Sequence, residues 1–378
     1  METNTFPFNP AADDIVRNAA FAPTDEELQR KELVQSLLPL RISVKDEYPP
    51  EVCLLQINDI PFFAKGDIHA IKAKQKQGKP NAISLMVAAI LGGSWGKLKS
   101  RLDGAKVMLI DTEQKGADAQ LIYNRIFDLA RLPKEDIFHR FQMFRFRSLD
   151  TQQKLDATRA LITEYAPDIV FIDGIVDLMG NFNEVDDSKL IIEELMRLST
   201  KEVSGIDTAI VCVLHTNKAT EDHNMRGHAG TMLSQKAGNV LEVVKNNGIM
   251  TVRNSDSRHQ EVPEWSFMFN AEGTIVDADE EKARLQEEAK REREEAKALK
   301  EKSLYEERKD IVIRIIKQHE NGISRKMLIT KLRKEIQKSD SLIKTLIKKM
   351  IDEDIIIANK FTGIIIMKKT GQNGQNGQ

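Results

Sequence analysis

Between residues 50 and 280 the chain alternates short apolar runs with stretches whose apolar residues recur every three or four positions. The runs lie at 67–71, 106–110, 141–146, 168–172 and 208–214, and helical patterns at 82–91, 118–129, 152–164 and 190–198 separate them. Strands and helices taking turns predict βαβ units, because two parallel strands need a crossover and a helix supplies it. Most positions in these runs are apolar, as in strands covered on both faces. Three more, 240–244, 250–252 and 265–269, follow without long helices between them and predict an antiparallel extension at one edge of the sheet.

The flanks read differently. Residues 1–50 hold six prolines around one helix-like stretch at 24–38, where Thr24 and Glu27 have the spacing of a capping box ahead of Leu28, Leu33 and Leu37. This is expected to be an arm that packs on the core or on a neighbouring subunit. Of the 31 residues 279–309, 21 are charged, 11 acidic and 10 basic, with no Gly or Pro. That pattern fits a solvated helix laced by i,i+4 pairs, and a flexible charged linker is the alternative. Helical spacing returns at 306–318 (Ile311, Ile315, Ile316), at 325–335 behind Ser324 (Leu328, Leu332), and at 340–352 behind Ser339 (Leu342, Leu346, Ile347, Met350). Two β-branched runs, 354–358 and 363–367, are joined by Asn359-Lys360-Phe361-Thr362 as a hairpin. Three helices and a hairpin are the order of a winged-helix fold. The TGQNGQNGQ tail is of low complexity and expected to be disordered. The expected organisation is thus an arm (1–50), an α/β core (51–278), a charged helical linker (279–309), a winged-helix module (310–369) and a tail (370–378).

Composition narrows the function. At 378 residues, 41% hydrophobic and 30% charged, the chain has room for two or three domains. No apolar run approaches bilayer length and the N-terminus lacks a signal pattern, so a cytoplasmic protein without membrane partners is expected. Cys53 and Cys212 sit far apart in apolar runs, without zinc or disulfide spacing, and read as buried thiols. The net charge of -2 conceals a basic C-terminus: residues 311–369 hold 14 Lys and Arg against 6 Asp and Glu, a net of +8. Such an excess favours a phosphate backbone. The candidate DNA contacts are Lys338, Lys344, Lys348 and Lys349 on the third helix, with Lys360 on the wing; a merely solvated or protein-binding face is the plain alternative.

Candidate chemistry concentrates behind the run at 67–71. There Ala73-Lys74-Gln75-Lys76-Gln77-Gly78-Lys79-Pro80 leads into a helix starting at Asn81, the strand, loop and helix context of a GxxxxGK[ST] phosphate loop. Lys79 would reach the β and γ phosphates of ATP, with Lys74 to Asn81 forming the cradle. Two positions depart from the pattern. Ala73 stands for the first glycine, which matters if positive φ is needed there. Pro80 stands for the Ser or Thr whose hydroxyl binds Mg²⁺, and it removes a backbone donor while remaining compatible with the first turn of a helix. Alone, the string could be a lysine-rich turn. Three further strands, however, end in polar groups: 168–172 in Asp173, placed to hold Mg²⁺ through water; 106–110 in Asp111-Thr112-Glu113, with Glu113 placed to polarise a water; and 208–214 in His215-Thr216-Asn217-Lys218. Ligands of open α/β sheets bind beyond the carboxyl ends of the strands, so one site gathers all of them.

Together, Lys74 to Pro80, Asp111 to Gln114, Asp168 to Leu178, His215 to Lys218 and Arg226-Gly227-His228-Ala229-Gly230-Thr231 resemble the RecA-like ATPases related to plasmid-type hexameric replicative helicases, nearest to the branch found on mobilizable transposons. The resemblance covers about 49–277. It implies a RecA-like P-loop core, ATP and Mg²⁺ as cofactors, Glu113 as the catalytic carboxylate, and His215 as the residue sensing the γ-phosphate. It also implies Arg226 in a loop facing DNA or a neighbouring subunit, and Arg258 reaching the next subunit's nucleotide. DNA and further copies of the chain, in a ring of order six by analogy, would be the partners. The leading expectation is an oligomeric ATPase acting on a mobile element's DNA, weakened at Ala73 and Pro80; the alternative is a non-enzymatic nucleotide-binding DNA scaffold or regulator. A small-molecule kinase fits less well, since nothing reads as a lid or an acceptor pocket.

Overall fold

The computed structural model describes residues 24–135, 137–180, 184–216, 225 and 227–368. It falls into two units, Met1–Val52 and Cys53–Gln378. In the first, α1 (Asp25–Leu37) starts at Thr24, whose hydroxyl accepts from the Glu27 amide while the Glu27 carboxylate accepts from the Thr24 amide, so the capping box forms. The expected disordered tail lies outside the described residues.

The second unit begins with the hairpin β1 (Cys53–Ile57) and β2 (Ile60–Ala64), and passes through β3 (Ile68–Ala73) into α2 (Lys79–Gly92). A second hairpin, β4 (Ser94–Trp95) and β5 (Leu98–Ser100), joins the first to make a small antiparallel sheet of order β2-β1-β5-β4. Then come β6 (Val107–Asp111), α3 (Gly116–Ala130), β7 (Phe141–Arg145), α4 (Thr151–Tyr165), β8 (Ile169–Asp173), α5 (Val185–Ser199), the short α6 (Lys201–Ser204), β9 (Ala209–His215) and α7 (Gly227–Lys236). Strands β10 (Asn239–Asn246), β11 (Ile249–Ser257), β12 (Trp265–Phe269) and β13 (Ile275–Asp277) close the core. The main sheet has the order β13-β12-β11-β10-β3-β9-β8-β6-β7. From β10 to β7 all pairs are parallel, and β10 to β13 form the antiparallel extension.

Strand pleating explains the apolar run of β8. Ile169 and Phe171 of β8 pack on one face with α2, α3 and the small sheet, whereas Val170 and Ile172 pack on the other with α4, α5 and α7. Each residue has an apolar partner, so no position tolerates a polar side chain until the strand emerges at Asp173. Both cysteines are buried free thiols, and burial pushes the Cys212 thiol well above its ordinary value, leaving it a poor nucleophile.

Helix α8 (Ala278–Lys317) is one helix of 40 residues, begun by the Asp277 carboxylate, which accepts from the Asp279 and Glu280 amides. The charged stretch and the first apolar helix of the C-terminal region are therefore continuous, because no Gly or Pro interrupts them. No described helix is long and apolar enough to cross a membrane. Beyond α8, β14 (Ile323–Ser324), α9 (Arg325–Ile336), α10 (Asp340–Asp352), β15 (Ile356–Ala358) and β16 (Ile364–Met367) fold around a core that includes Val312, Ile316, Leu328, Leu332, Ile343, Ile347 and Ile365. Their sheet is antiparallel, of order β14-β16-β15. Two sequence expectations need correction here. Ile343 takes the core place expected of Leu342, which is only half-buried, and Ser339 occupies the N-cap position of α10 without its side chain accepting a hydrogen bond.

Candidate functional site: the carboxyl edge of the parallel sheet

Register brings the candidate residues together. Asp111 pairs with Asp173, Asp173 with Val213, and Ala73 with His215, so the ends of β6, β8, β9 and β3 stand side by side where the loop 74–78 enters α2. The loop is shaped by two left-handed residues, Lys76 at φ 62° and Gly78 at φ 90°. Glycine is required at 78 twice over: its φ is costly for other residues, and a Cβ would stand 2.7 Å from Met250 Sδ of β11. Gln77 is held from the same hairpin, its side-chain oxygen accepting from the Lys245 amide. Ala73 is the last residue of β3, fully buried and without positive φ, so the missing first glycine leaves the backbone unstrained.

Lys79 and Asp173 meet at the centre. Lys79 Nζ lies 3.2 Å from Asp173 Oδ1, with side chains only 7% and 8% exposed. The contact is an ion pair without hydrogen-bond alignment, and neither atom has a hydrogen-bond partner among the described residues. A buried ammonium and a buried carboxylate with unused capacity suit a polyanion and its divalent counterion. The residues present thus fit ATP with Mg²⁺: Lys79 and the N-terminus of α2 for phosphate, Asp173 for the metal. No acidic residue stands in the first turn of α2 to repel an anion. Pro80, in that turn, has neither hydroxyl nor N–H, and the nearby Ser84 hydroxyl donates to the Pro80 carbonyl at 2.8 Å.

Glu113 follows β6 in a turn fixed by Asp111 Oδ1, which accepts from the amides of Glu113 (2.9 Å) and Gln114 (2.8 Å). Burial nonetheless raises the Asp111 carboxyl above its ordinary value. Glu113 Oε1 is 3.6 Å from His215 Nε2, and this contact holds the Glu113 carboxyl below its ordinary value. Thr112 Oγ1 sits 2.9 Å from the Asp173 carbonyl and 2.7 Å from Asp177 Oδ2, with one proton for either. Gly174, at φ 98°, leaves room for that hydroxyl; a Cβ there would lie 2.3 Å from it.

Sequence reasoning missed Arg125. From α3 it donates to Asn81 Oδ1 at 2.6 Å, placing a partly buried guanidinium, its pKa lowered by desolvation, beside the first turn of α2. The apolar periodicity of α3 does not mark it, because half-buried polar positions carry no pattern. Lys74, Gln75, Lys76 and Gln77 lie in the loop, whereas α2 begins at Lys79, two residues before the expected start at Asn81, so Pro80 stands in its first turn.

Arg258 is not brought to this edge. It is held at the opposite, amino-terminal end of β3 by Asp67 (3.3 Å) and by the Lys236 carbonyl. Arg226 and Lys218 lie outside the described residues. Of the C-terminal lysines, Lys344 and Lys348 are exposed on α10, whereas Lys349 is engaged, 3.9 Å from Glu353 and 3.9 Å above the Tyr305 ring. Lys338 precedes α10, in the turn after α9, and Lys360 is exposed in the β15–β16 turn.

Residues 53–221 match the family described as AAA domain. That segment contains the loop, Glu113, Asp173 and His215. Two solved structures share 14% identity with the chain: an ATPase domain, with TM-score 0.40 over 56% of this chain and 85% of that one, and the RadB recombinase, with TM-score 0.41 over 58% and 93%. No curated protein matches. The family match and the strand order around the loop support a P-loop nucleotide-binding core.

Proposed function

We propose that the chain binds ATP with Mg²⁺ at the β3–α2 loop and hydrolyses it slowly, as an oligomeric helicase-like or DNA-remodelling protein of a mobile element. The carrying observation is the buried Lys79–Asp173 pair at one sheet edge with the Glu113–His215 pair. Bound Mg²⁺ would neutralise phosphate charge. Lys79 would hold the terminal phosphates, Glu113 would orient and accept a proton from the attacking water, and His215, in contact with Glu113, would report the γ-phosphate's presence. The mobile-element assignment and a six-membered ring rest on the sequence resemblance, as do Arg226 in a loop facing DNA or a neighbouring subunit and Arg258 reaching the next subunit's nucleotide.

The C-terminal module supports DNA binding. Its three helices and three-stranded antiparallel sheet would make a winged helix, and α10, carrying Lys344 and Lys348, would lie against the phosphate backbone with Lys338 and Lys360 flanking it.

Pro80 favours a second reading, a nucleotide-binding DNA scaffold without turnover, since no hydroxyl in the first turn of α2 faces a metal. Phosphate release by the full chain, with and without single-stranded DNA and against Lys79→Ala, separates the two. Turnover above that variant is expected; none would leave the scaffold.

A further inference from the structure

The β15–β16 turn presents a side chain that no folding argument explains. Phe361 is 100% exposed, at the tip of Asn359-Lys360-Phe361-Thr362-Gly363. A phenylalanine left wholly in water adds nothing to stability, and loop tips are usually small and polar.

The turn is nonetheless built firmly. Asn359 Oδ1 accepts from the amides of Phe361 (2.9 Å) and Thr362 (3.1 Å), the Gly363 amide donates to the Asn359 carbonyl (2.9 Å), and Gly363 takes φ 63°. The Arg325 amide donates to the Gly363 carbonyl at 3.1 Å, tying the turn to the N-terminus of α9. Phe361 is thus held out by a preorganised backbone.

Its surroundings are cationic. Arg325 and Lys326 open α9, where helix-dipole considerations favour acidic residues, and its first turn has none. Lys360 is the neighbour of Phe361, while Lys368, at the far end of the hairpin, is paired with Asp354 at 3.0 Å. An aromatic face projecting among cations is complementary to an anionic chain that offers flat π-surfaces, which describes a nucleic-acid strand with unpaired bases. An acidic peptide would use the cations but has no need of a planar ring.

We propose that Phe361 stacks on an unpaired nucleobase, with Lys360, Arg325 and Lys326 holding the adjoining phosphates, so that the β15–β16 turn reads the junction between duplex and single strand. This rests on the DNA-binding reading of the module.

The test uses the full chain and two fluorescent DNAs, a blunt duplex and the same duplex with a single-stranded tail carrying 2-aminopurine at the junction. Phe361→Ala is expected to weaken binding to the tailed DNA by about 5- to 150-fold, the range of one base–aromatic stack, with little change for the blunt duplex. The slope of log K against log[salt] should stay unchanged, since no cation is removed. Phe361→Trp should retain affinity, and its fluorescence should be quenched on binding. Because Phe361 touches no core residue, the Ala variant should unfold like the wild type. Phe361→Leu keeps apolar bulk without a π-face; binding of Leu equal to wild type would overturn stacking. So would unchanged affinity of the Ala variant when Lys344→Glu weakens both DNAs, an outcome that leaves the DNA reading standing. A wild-type chain that binds neither DNA at low salt would remove the DNA reading itself, and the proposal with it.

Discussion

The two charged regions of this molecule are built on opposite terms. At the sheet edge, Lys79 and Asp173 are buried and fixed by a strand end, a helix N-terminus and two left-handed loop residues. On the C-terminal module, the lysines are spread over its helices and turns, and some are neutralised by neighbours, as Lys349 is by Glu353 and Lys368 by Asp354. Buried charge is costly to leave alone, so its geometry is specific and single changes there are severe. Exposed charge is screened and adaptable, so its effects are small, additive and dependent on salt.

The largest expected effect follows from the first region. Lys79→Met should abolish hydrolysis and strand the buried Asp173 carboxylate, and removing one partner of a buried pair costs about 3–5 kcal/mol. Denaturant unfolding should show that loss, and Lys79→Met with Asp173→Asn should recover part of it. A single variant as stable as wild type would break the contrast.

Pro80→Thr is expected to raise turnover. It restores a backbone donor and a hydroxyl beside Lys79, and one charge-assisted interaction of roughly 1.5–3 kcal/mol corresponds to about 10- to 150-fold in rate. Steady-state phosphate release measures it. Turnover no higher than wild type, with ATP binding intact, would show that Pro80 is not the group limiting the site.

On the exposed face the steps should be smaller. Lys344→Ala and Lys348→Ala should each make the salt slope of duplex binding shallower by about 0.9 for every phosphate no longer neutralised, and the two changes should add. Lys349→Ala should change it less, because its ammonium is engaged by Glu353 and Tyr305. Equal slopes for all three would remove that distinction.

The smallest effect is a titration. Glu113 is held below its ordinary carboxyl value of 4.5 first by the contact with His215, against burial, which acts the other way. A depressed folded value means that the ionised form contributes stability above the unfolded value, and that this is lost as pH falls through the folded one. Wild-type Glu113 should therefore stay ionised to below 4.5, and His215→Ala should move its midpoint upward, as burial then dominates. Carboxyl NMR of both proteins checks the direction; a downward shift would mean that the pair does not form.

Much of this site was legible in the chain. In β6, β8 and β9 every position before the strand end is apolar, so the first polar residue after each run marks the carboxyl edge, and Asp111, Asp173 and His215 were picked as candidates that way. Arg125 was not, since its role depends on α3 lying against the first turn of α2. The small sheet was missed for a similar reason: β4 and β5 are two and three residues long, and short hairpins carry too few positions for a period to show.

The sequence by itself determined the alternation of strands and helices, the phosphate-loop spacing around Lys79, the missing hydroxyl at Pro80, and the cationic excess of the C-terminal module, because these depend on local periodicity and residue chemistry. Only the tertiary structure decided that Ala73 needs no glycine's freedom, that the charged stretch and the following apolar helix are one α8, that Ile343 rather than Leu342 enters the core, and that Lys349 is engaged while Phe361 stands alone in solvent. Each of those turns on what lies opposite a residue in space, and side chains distant in sequence supply it.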